Sequence, residues 1–221
     1  MKVQRGSIFR PETNYYKSAG IILMVACLQF FLVVNLVETQ FPDYSAAANT
    51  LTDIGGTMPL VEPSFTIFNI SVFLLGVLGL ITVYLVLKSG GCRLFSSCLA
   101  LFSLGAMGVA LVPASMGSWH VFSTSLMMLF GTLAVLFSYR LGLNIPMVGV
   151  SMVLGFMSFI ILLFGFVWGY GSDNVLVAFL GVAGSEKFIL YSTILYLIAL
   201  GGYLTSRGED WVRLRFFSEE K

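Results

Sequence analysis

Residues 65–87, FTIFNISVFLLGVLGLITVYLVL, form an apolar run that contains no Asp, Glu, Lys or Arg. An α-helix needs about 20 such residues to cross the roughly 30 Å hydrocarbon core of a bilayer. A charged side chain at the bilayer centre costs about 2.5–3.5 kcal/mol even on a mild insertion scale, so the absence of charge is informative. This stretch therefore predicts a transmembrane helix.

Five further stretches meet the same criterion, and none of the six shows the strict alternation typical of a membrane β-barrel. Hydrophobic residues make up 57% of the 221 residues and charged residues only 10%, against about 25% charged in soluble domains. We predict an all-α integral membrane protein, a single domain (1–221) built as a bundle of six transmembrane helices. The predicted spans are residues 18–37, 65–87, 94–112, 119–139, 147–168 and 188–205.

The basic residues predict the orientation of the bundle. Eleven of the twelve Lys and Arg residues fall in the two tails and in the connections after the second and fourth spans. The positive-inside rule then places both termini in the cytoplasm of a protein of the cell membrane. We expect the two long connections, 38–64 and 169–187, to be structured loops on the outer side.

Two shorter segments leave more than one interpretation. Residues 175–182 are apolar but too short to span, so they form an interfacial or re-entrant segment or an extension of the sixth helix. Residues 207–221 carry apolar side chains at about helical spacing beside two arginines. This tail is predicted to be an amphipathic helix on the cytoplasmic surface, or else a frayed polar end.

The residues able to carry chemistry lie on the predicted outer side. His120, the only histidine, opens the fourth span, Asp53 lies in the first long loop, and Glu186 precedes the sixth span. A histidine with carboxylates nearby is suited to proton transfer or to orienting a water, so these three are the candidate catalytic residues. Each also has a structural interpretation: Asp53 as a helix cap, His120 as an interfacial anchor, and Glu186 as a charge favoured at a helix N-terminus.

Four residues on the same side are predicted to contribute to ligand binding: Asn49, Asn69, Lys187 and Tyr191. Several other chemistries are discounted. One histidine without an outer cysteine does not supply a usual zinc site, so no metal is predicted. No phosphate-binding Gly-rich loop, nucleophile turn or cofactor fingerprint occurs, and a net charge of +1 gives no reason to expect nucleic acid.

A family resemblance rests on motifs spread along the chain. In order they are Pro42-Asp43-Tyr44, Asn49 through Gly55, Phe68-Asn69, Val112-Pro113 with His120, and Gly184 through Lys187 followed by Tyr191. This pattern resembles an uncharacterised membrane family known as domain of unknown function 998, over essentially the whole chain. The resemblance implies about six spans and no established activity. It also implies that Asp53, His120 and Glu186 occupy motif positions of the family.

Two positions depart from the family pattern. Family members often carry Phe-Pro-Glu or Phe-Pro-Asp where this chain has Val112-Pro113-Ala114, and Glu-Arg where it has Glu186-Lys187. The absence of an acid beside Pro113 therefore argues against a mechanism that needs a carboxylate there.

The sequence supports two kinds of function. One is an outward-facing polar site that binds or processes a membrane lipid or its headgroup, with His120 assisted by Asp53 or Glu186. The other is a non-enzymatic role as an accessory subunit, binder or transporter. Membrane lipids are the expected partners, and a homo-oligomer or a larger membrane complex is left open.

Overall fold

The computed structural model describes residues 14–171 and 174–219, with side chains up to residue 207. Every regular element in this part of the chain is helical, and six helices are long and apolar enough to cross a membrane. The predicted fold class, a multi-pass helical membrane protein, is therefore confirmed. The helices are α1 (Tyr15–Gln40), α2 (Leu51–Gly56), α3 (Ser64–Lys88), α4 (Arg93–Leu111), α5 (Ser118–Phe137), α6 (Ile145–Trp168) and α7 (Val175–Glu219), with single 3-10 turns at Ala114–Met116 and Ser138–Leu141.

Polar residues and glycine set several helix ends. Asn14 Oδ1 accepts a hydrogen bond from the backbone N–H of Lys17 at 3.1 Å, which caps the start of α1. Asn144 caps α6 in the same way, through the N–H of Met147. These bonds satisfy backbone donors that a helix start leaves without partners. Gly169, with φ 72°, ends α6 in a conformation that L side chains rarely adopt.

Five of the six long helices form a closed ring. Around it, α1 packs against α3, α3 against α4, α4 against α5, α5 against α7, and α7 against α1. Helix α6 lies outside this ring, against α5 and α7. Many of its large apolar side chains are exposed, Phe166 at 90% among them. Exposed apolar side chains on a spanning helix suit contact with lipid, so α6 presents a broad lipid-facing surface.

Glycines allow close contacts between helices. A Cβ atom added at Gly105 of α4 would lie 2.5 Å from the backbone nitrogen of Met127 in α5. One added at Gly201 of α7 would lie 2.7 Å from the carbonyl oxygen of Gly20 in α1. Small residues permit such backbone approach in membrane bundles. Gly202, by contrast, has no atom within 4 Å of its added Cβ.

The last helix is longer than the predicted span of 188–205. It begins at Val175, changes direction at Gly181 (φ 74°, ψ 164°) and runs to Glu219. The apolar segment 175–182 thus forms a short helix up to the kink and leads directly into the sixth spanning helix. Backbone helix also covers most of the predicted tail 207–221, but its amphipathic character lies outside the described side chains.

The two ends of the bundle differ. At one end lie the 41–63 connection containing α2, the 112–117 turn and the start of α7, and we call this the long-loop end. At the opposite end Arg207 donates hydrogen bonds to the carbonyl oxygens of Leu141 at 2.8 Å and Gly142 at 3.0 Å. All the candidate site residues lie at the long-loop end. That this end faces outward stays a prediction from the charge distribution.

Candidate functional site

Helix α2 lies across the long-loop end and is fixed by a capping box. The Thr50 hydroxyl accepts a hydrogen bond from the Asp53 N–H at 3.1 Å, and Asp53 Oδ2 accepts one from the Thr50 N–H at 2.8 Å. Asp53 Oδ1 accepts a third bond, at 3.3 Å, from the Thr57 hydroxyl. Both carboxylate oxygens are therefore occupied by local bonds. The hydrogen bonds match the capping interpretation of Asp53, and its catalytic role stays a prediction.

Replacing Asp53 with alanine is expected to lower the free energy of unfolding by about 1 kcal/mol, because it removes the reciprocal cap. Asp53→Asn keeps an acceptor oxygen for the Thr50 N–H and is expected to lose less. Thermal unfolding of both variants in detergent measures this. If Asp53→Asn leaves the melting temperature unchanged and abolishes ligand binding or turnover, the purely capping role is refuted.

A small cavity lies inside the ring, below α2. The volume open to a water-sized sphere is about 20 Å³, and roughly 10–15 Å³ is enough for one ordered water. The apolar part of its wall comes mainly from side chains such as Phe30, Phe68, Met127 and Leu190. Four polar side chains also line it: Thr52 of α2, His120 and Thr124 of α5, and Glu186 of α7. Two of the three predicted catalytic residues thus border one cavity, and Asp53 does not.

His120 is held in one orientation by the end of α4. Its Nδ1 lies 2.6 Å from the carbonyl oxygen of Val112, and the side chain is only 4% exposed. A carbonyl oxygen only accepts, so Nδ1 carries the proton and donates it. In the neutral ring, Nε2 then presents a lone pair. This Nε2 is buried and has no hydrogen-bond partner among the described residues.

Thr124 and Glu186 add oxygen atoms to the same cavity. The Thr124 hydroxyl, one helical turn after His120, is buried and likewise has no partner in the described part of the chain. Glu186 is partly buried, and its Oε1 accepts a hydrogen bond from the Thr52 hydroxyl at 3.3 Å. No described Lys, Arg or His nitrogen lies within 4.0 Å of the Glu186 carboxylate. His120 and Glu186 are therefore not bonded to each other, although both border the cavity.

A second polar cluster fastens the 41–50 loop to the ring. The Glu38 carboxylate of α1 lies 3.8 Å from Lys187 Nζ of α7 and accepts hydrogen bonds from the Tyr44 and Tyr191 hydroxyls. Lys187 Nζ also donates to the carbonyl oxygen of Ala46 at 2.8 Å and lies 4.7 Å from the centre of the Tyr44 ring. Burial and the adjacent Glu38 carboxylate raise the pKa of Tyr44 above its ordinary value, so its hydroxyl stays protonated and donates.

The remaining predicted binding residues have mainly structural contacts. Lys187 and Tyr191 are engaged in the Glu38 cluster. Asn49 Oδ1 accepts from the Ser45 N–H at 2.8 Å and closes the loop before α2. Asn69 Nδ2 donates to the carbonyl oxygens of Phe65 and Gly55, which ties α3 to α2, and its Oδ1 has no described partner. Their roles in ligand binding stay predictions.

The comparison with protein families decides the classification of the chain. The profile of the family described as "Protein of unknown function (DUF998)" matches residues 24–203. The chain belongs to the DUF998 family. Searches of curated proteins and of solved structures gave no match. The matched region holds all of the candidate residues, from Asn49 to Tyr191, so the cavity and the Glu38 cluster are both parts of the DUF998 domain.

Sequence reasoning missed two functional candidates in this DUF998 domain. Thr124 follows His120 by four residues, which places both on one face of a helix, and that spacing was available in the sequence. The sequence did not single out Glu38, because this residue lies at the end of an apolar run among other polar loop residues. Its partner Tyr44 is close to it in the sequence, but its partner Lys187 is distant. Only the packing of α1 against α7 brings Glu38 and Lys187 together.

Proposed function

We propose that this protein binds a membrane lipid, with one small polar group of the lipid headgroup held in the cavity between His120, Thr124 and Glu186. The observation that carries the proposal is that two residues of the cavity wall, His120 and Thr124, each hold a buried polar atom, Nε2 and Oγ1, without a described partner. Buried polar atoms are nearly always hydrogen-bonded, and leaving one unpaired costs about 1–3 kcal/mol. A bound polar group would supply the missing partners.

The position of the cavity favours a lipid over a soluble ligand. It lies at an end of the spanning helices, the level at which headgroups lie against a membrane protein. Its wall is mostly apolar, and Thr52 and Glu186 at its border are partly exposed. The cell membrane and the outward orientation are part of the proposal, because they rest on the distribution of Lys and Arg.

Processing of the bound headgroup is the second candidate, and the hydrogen bond between Val112 and His120 favours it. A carbonyl that fixes the Nδ1 proton leaves Nε2 available as a general base for a water or a hydroxyl in the cavity. Incubation of purified protein with membrane lipid extracts, followed by mass spectrometry of the products, tests this candidate. Turnover by the wild type that His120→Asn abolishes supports it, and the absence of turnover leaves binding alone.

Thr124→Val provides the sharpest test of binding. Valine has nearly the same shape and removes a hydroxyl without a protein partner, so the variant is expected to be as stable as the wild type without lipid, or slightly more stable. Lipid extract should raise the melting temperature of the wild type by several degrees and that of Thr124→Val by much less. Native mass spectrometry should show a retained lipid in the wild type only.

Two further variants complete the test. Thr132→Val removes another buried hydroxyl without a described partner on α5, but one outside the cavity, and is expected to keep the full response to lipid. His120→Asn retains a donor for the Val112 carbonyl and lacks the Nε2 lone pair, so it is expected to behave like Thr124→Val. If the lipid raises the melting temperature equally in all four proteins, the proposed site is wrong.

A further inference from the structure

We propose that the cavity selects a primary ammonium group, as found in an ethanolamine headgroup, over hydroxyl and quaternary ammonium groups. This inference rests on the proposed function and gives the chemical class of its ligand. It depends on three properties of the described residues: the hydrogen-bonding character of the polar atoms, the absence of a cationic side chain beside Glu186 and the size of the cavity.

The polar atoms that border the cavity are acceptors or can act as acceptors. The His120 Nδ1–H is used by Val112, so Nε2 of the neutral ring is an acceptor. An ionised Glu186 carboxylate only accepts, and the Thr124 hydroxyl accepts through its lone pairs. A primary ammonium carries three N–H donors and no acceptor. The number and type of its donors therefore match one nitrogen and two oxygen acceptors.

The charge balance also favours a cation. Lys187, the residue next to Glu186, directs its ammonium to Glu38 and Ala46, so it is engaged elsewhere. Among the described side chains, no cationic nitrogen comes within 4.0 Å of the Glu186 carboxylate. A carboxylate placed against an apolar cavity is costly unless a positive charge or several donors face it. An ammonium ligand supplies both, whereas a hydroxyl or a water supplies donors alone.

The cavity size favours a small group over a methylated amine. Its volume for a water-sized sphere is about 20 Å³, which suits a group close to water in size. The –NH₃⁺ group meets this limit. The trimethylammonium group of choline has the same charge but three methyl groups in place of the three donors, so it neither fits nor satisfies His120 and Thr124. Choline headgroups recognised elsewhere in proteins need an aromatic cage instead of such acceptors.

A methylation series of headgroups tests the inference. Delipidated full-length protein in detergent, in a buffer without primary amines, is titrated with phosphatidylethanolamine, its N,N-dimethyl derivative, phosphatidylcholine and phosphatidylglycerol, all with identical acyl chains. Free ethanolamine forms a separate arm. Binding is followed by the shift in melting temperature and by native mass spectrometry. The wild type is expected to bind phosphatidylethanolamine at least tenfold more tightly than the other lipids, since charged hydrogen bonds are lost in each of them.

Glu186→Gln is the matched variant, because glutamine keeps the shape and an acceptor for the Thr52 hydroxyl but removes the charge. It is expected to lose the preference for ethanolamine, while Thr132→Val keeps it. The titrations of the wild type test the preference for a primary ammonium group even if Glu186→Gln folds poorly. Equal binding of phosphatidylcholine, or phosphatidylglycerol binding as tightly as phosphatidylethanolamine, would overturn the ammonium assignment.

The lipid and free-ethanolamine titrations also distinguish a wrong ammonium assignment from a wrong lipid site. Lipid binding that depends on Thr124 but not on headgroup methylation overturns the ammonium assignment and keeps the lipid site. Stabilisation by free ethanolamine but not by the lipid keeps the ammonium assignment and overturns the lipid source. If no lipid and no amine changes the melting temperature in a Thr124-dependent way, the cavity holds only water and both proposals are wrong.

Discussion

Lys187→Met is expected to lower the free energy of unfolding by about 3 kcal/mol, the low end of the range for removing one partner of a buried ion pair. Lys187 is only 8% exposed, so its charge is not solvated as a surface lysine would be. Methionine keeps most of the apolar stem and removes the contacts with Glu38 and the Ala46 carbonyl. Glu38 keeps its two tyrosine donors, which is why the loss does not reach the upper end of the range.

Thermal unfolding in detergent measures the Lys187→Met effect. For a chain of this size a loss of 1 kcal/mol lowers the melting temperature by about 2–4 °C, so the expected decrease is roughly 6–12 °C. Lys88→Met is the matched control, because Lys88 is exposed and its main contact is the face of Tyr84. That change is expected to cost less than about 1 kcal/mol. Equal losses in the two variants would contradict a structural role for the Glu38 cluster.

Gly201→Ala is the second change with a large expected effect. Its Cβ would lie 2.7 Å from the Gly20 carbonyl oxygen and 2.9 Å from the Met24 nitrogen, both backbone atoms of α1. Backbone cannot rotate out of the way as a side chain can, so α1 and α7 must separate. Overpacking of this kind costs about 1–3 kcal/mol, and we expect the upper part of that range.

Gly202→Ala is a control only one residue away on the same helix. Alanine raises helix stability over glycine by about 0.5–1 kcal/mol at both positions. Nothing lies within 4 Å of a Cβ added at Gly202, so that variant is expected to be as stable as the wild type or slightly more stable. The difference between the two melting temperatures therefore measures the steric cost alone. Similar melting temperatures would show that the α1–α7 contact is looser than described.

The helices could be predicted because lipid imposes a simple rule on the sequence. Each span requires about 20 apolar residues without charge, and five predicted spans lie within or close to the bounds of α1, α3, α4, α5 and α6. The sixth predicted span, 188–205, is shorter than α7, because hydropathy does not show whether a short apolar segment such as 175–182 continues into the next helix. Within α7 the kink at Gly181 joins that segment to the spanning part of the helix, and a glycine alone does not distinguish a kink from a loop.

The site was predicted only in part, because proximity across the bundle is not encoded locally. His120 and Glu186 reach one cavity since α5 and α7 are neighbours in the ring. Asp53 lies at the same end of the bundle, but its carboxylate oxygens accept hydrogen bonds from Thr50, within the capping box, and from Thr57. The capping pattern, a Thr followed three residues later by an Asp, was readable in the sequence and anticipated this outcome.

The sequence by itself determined that this protein is a six-helix membrane bundle, because burying uncharged runs in lipid is favourable whatever the neighbouring helices are. It also determined which polar residues gather at one end, since charged side chains are excluded from the spans. Only the tertiary structure decided which of them share a cavity, which pair with each other and which are left unpartnered. Those outcomes depend on the order of helices around the ring and on close glycine contacts, and hydropathy carries no information about either.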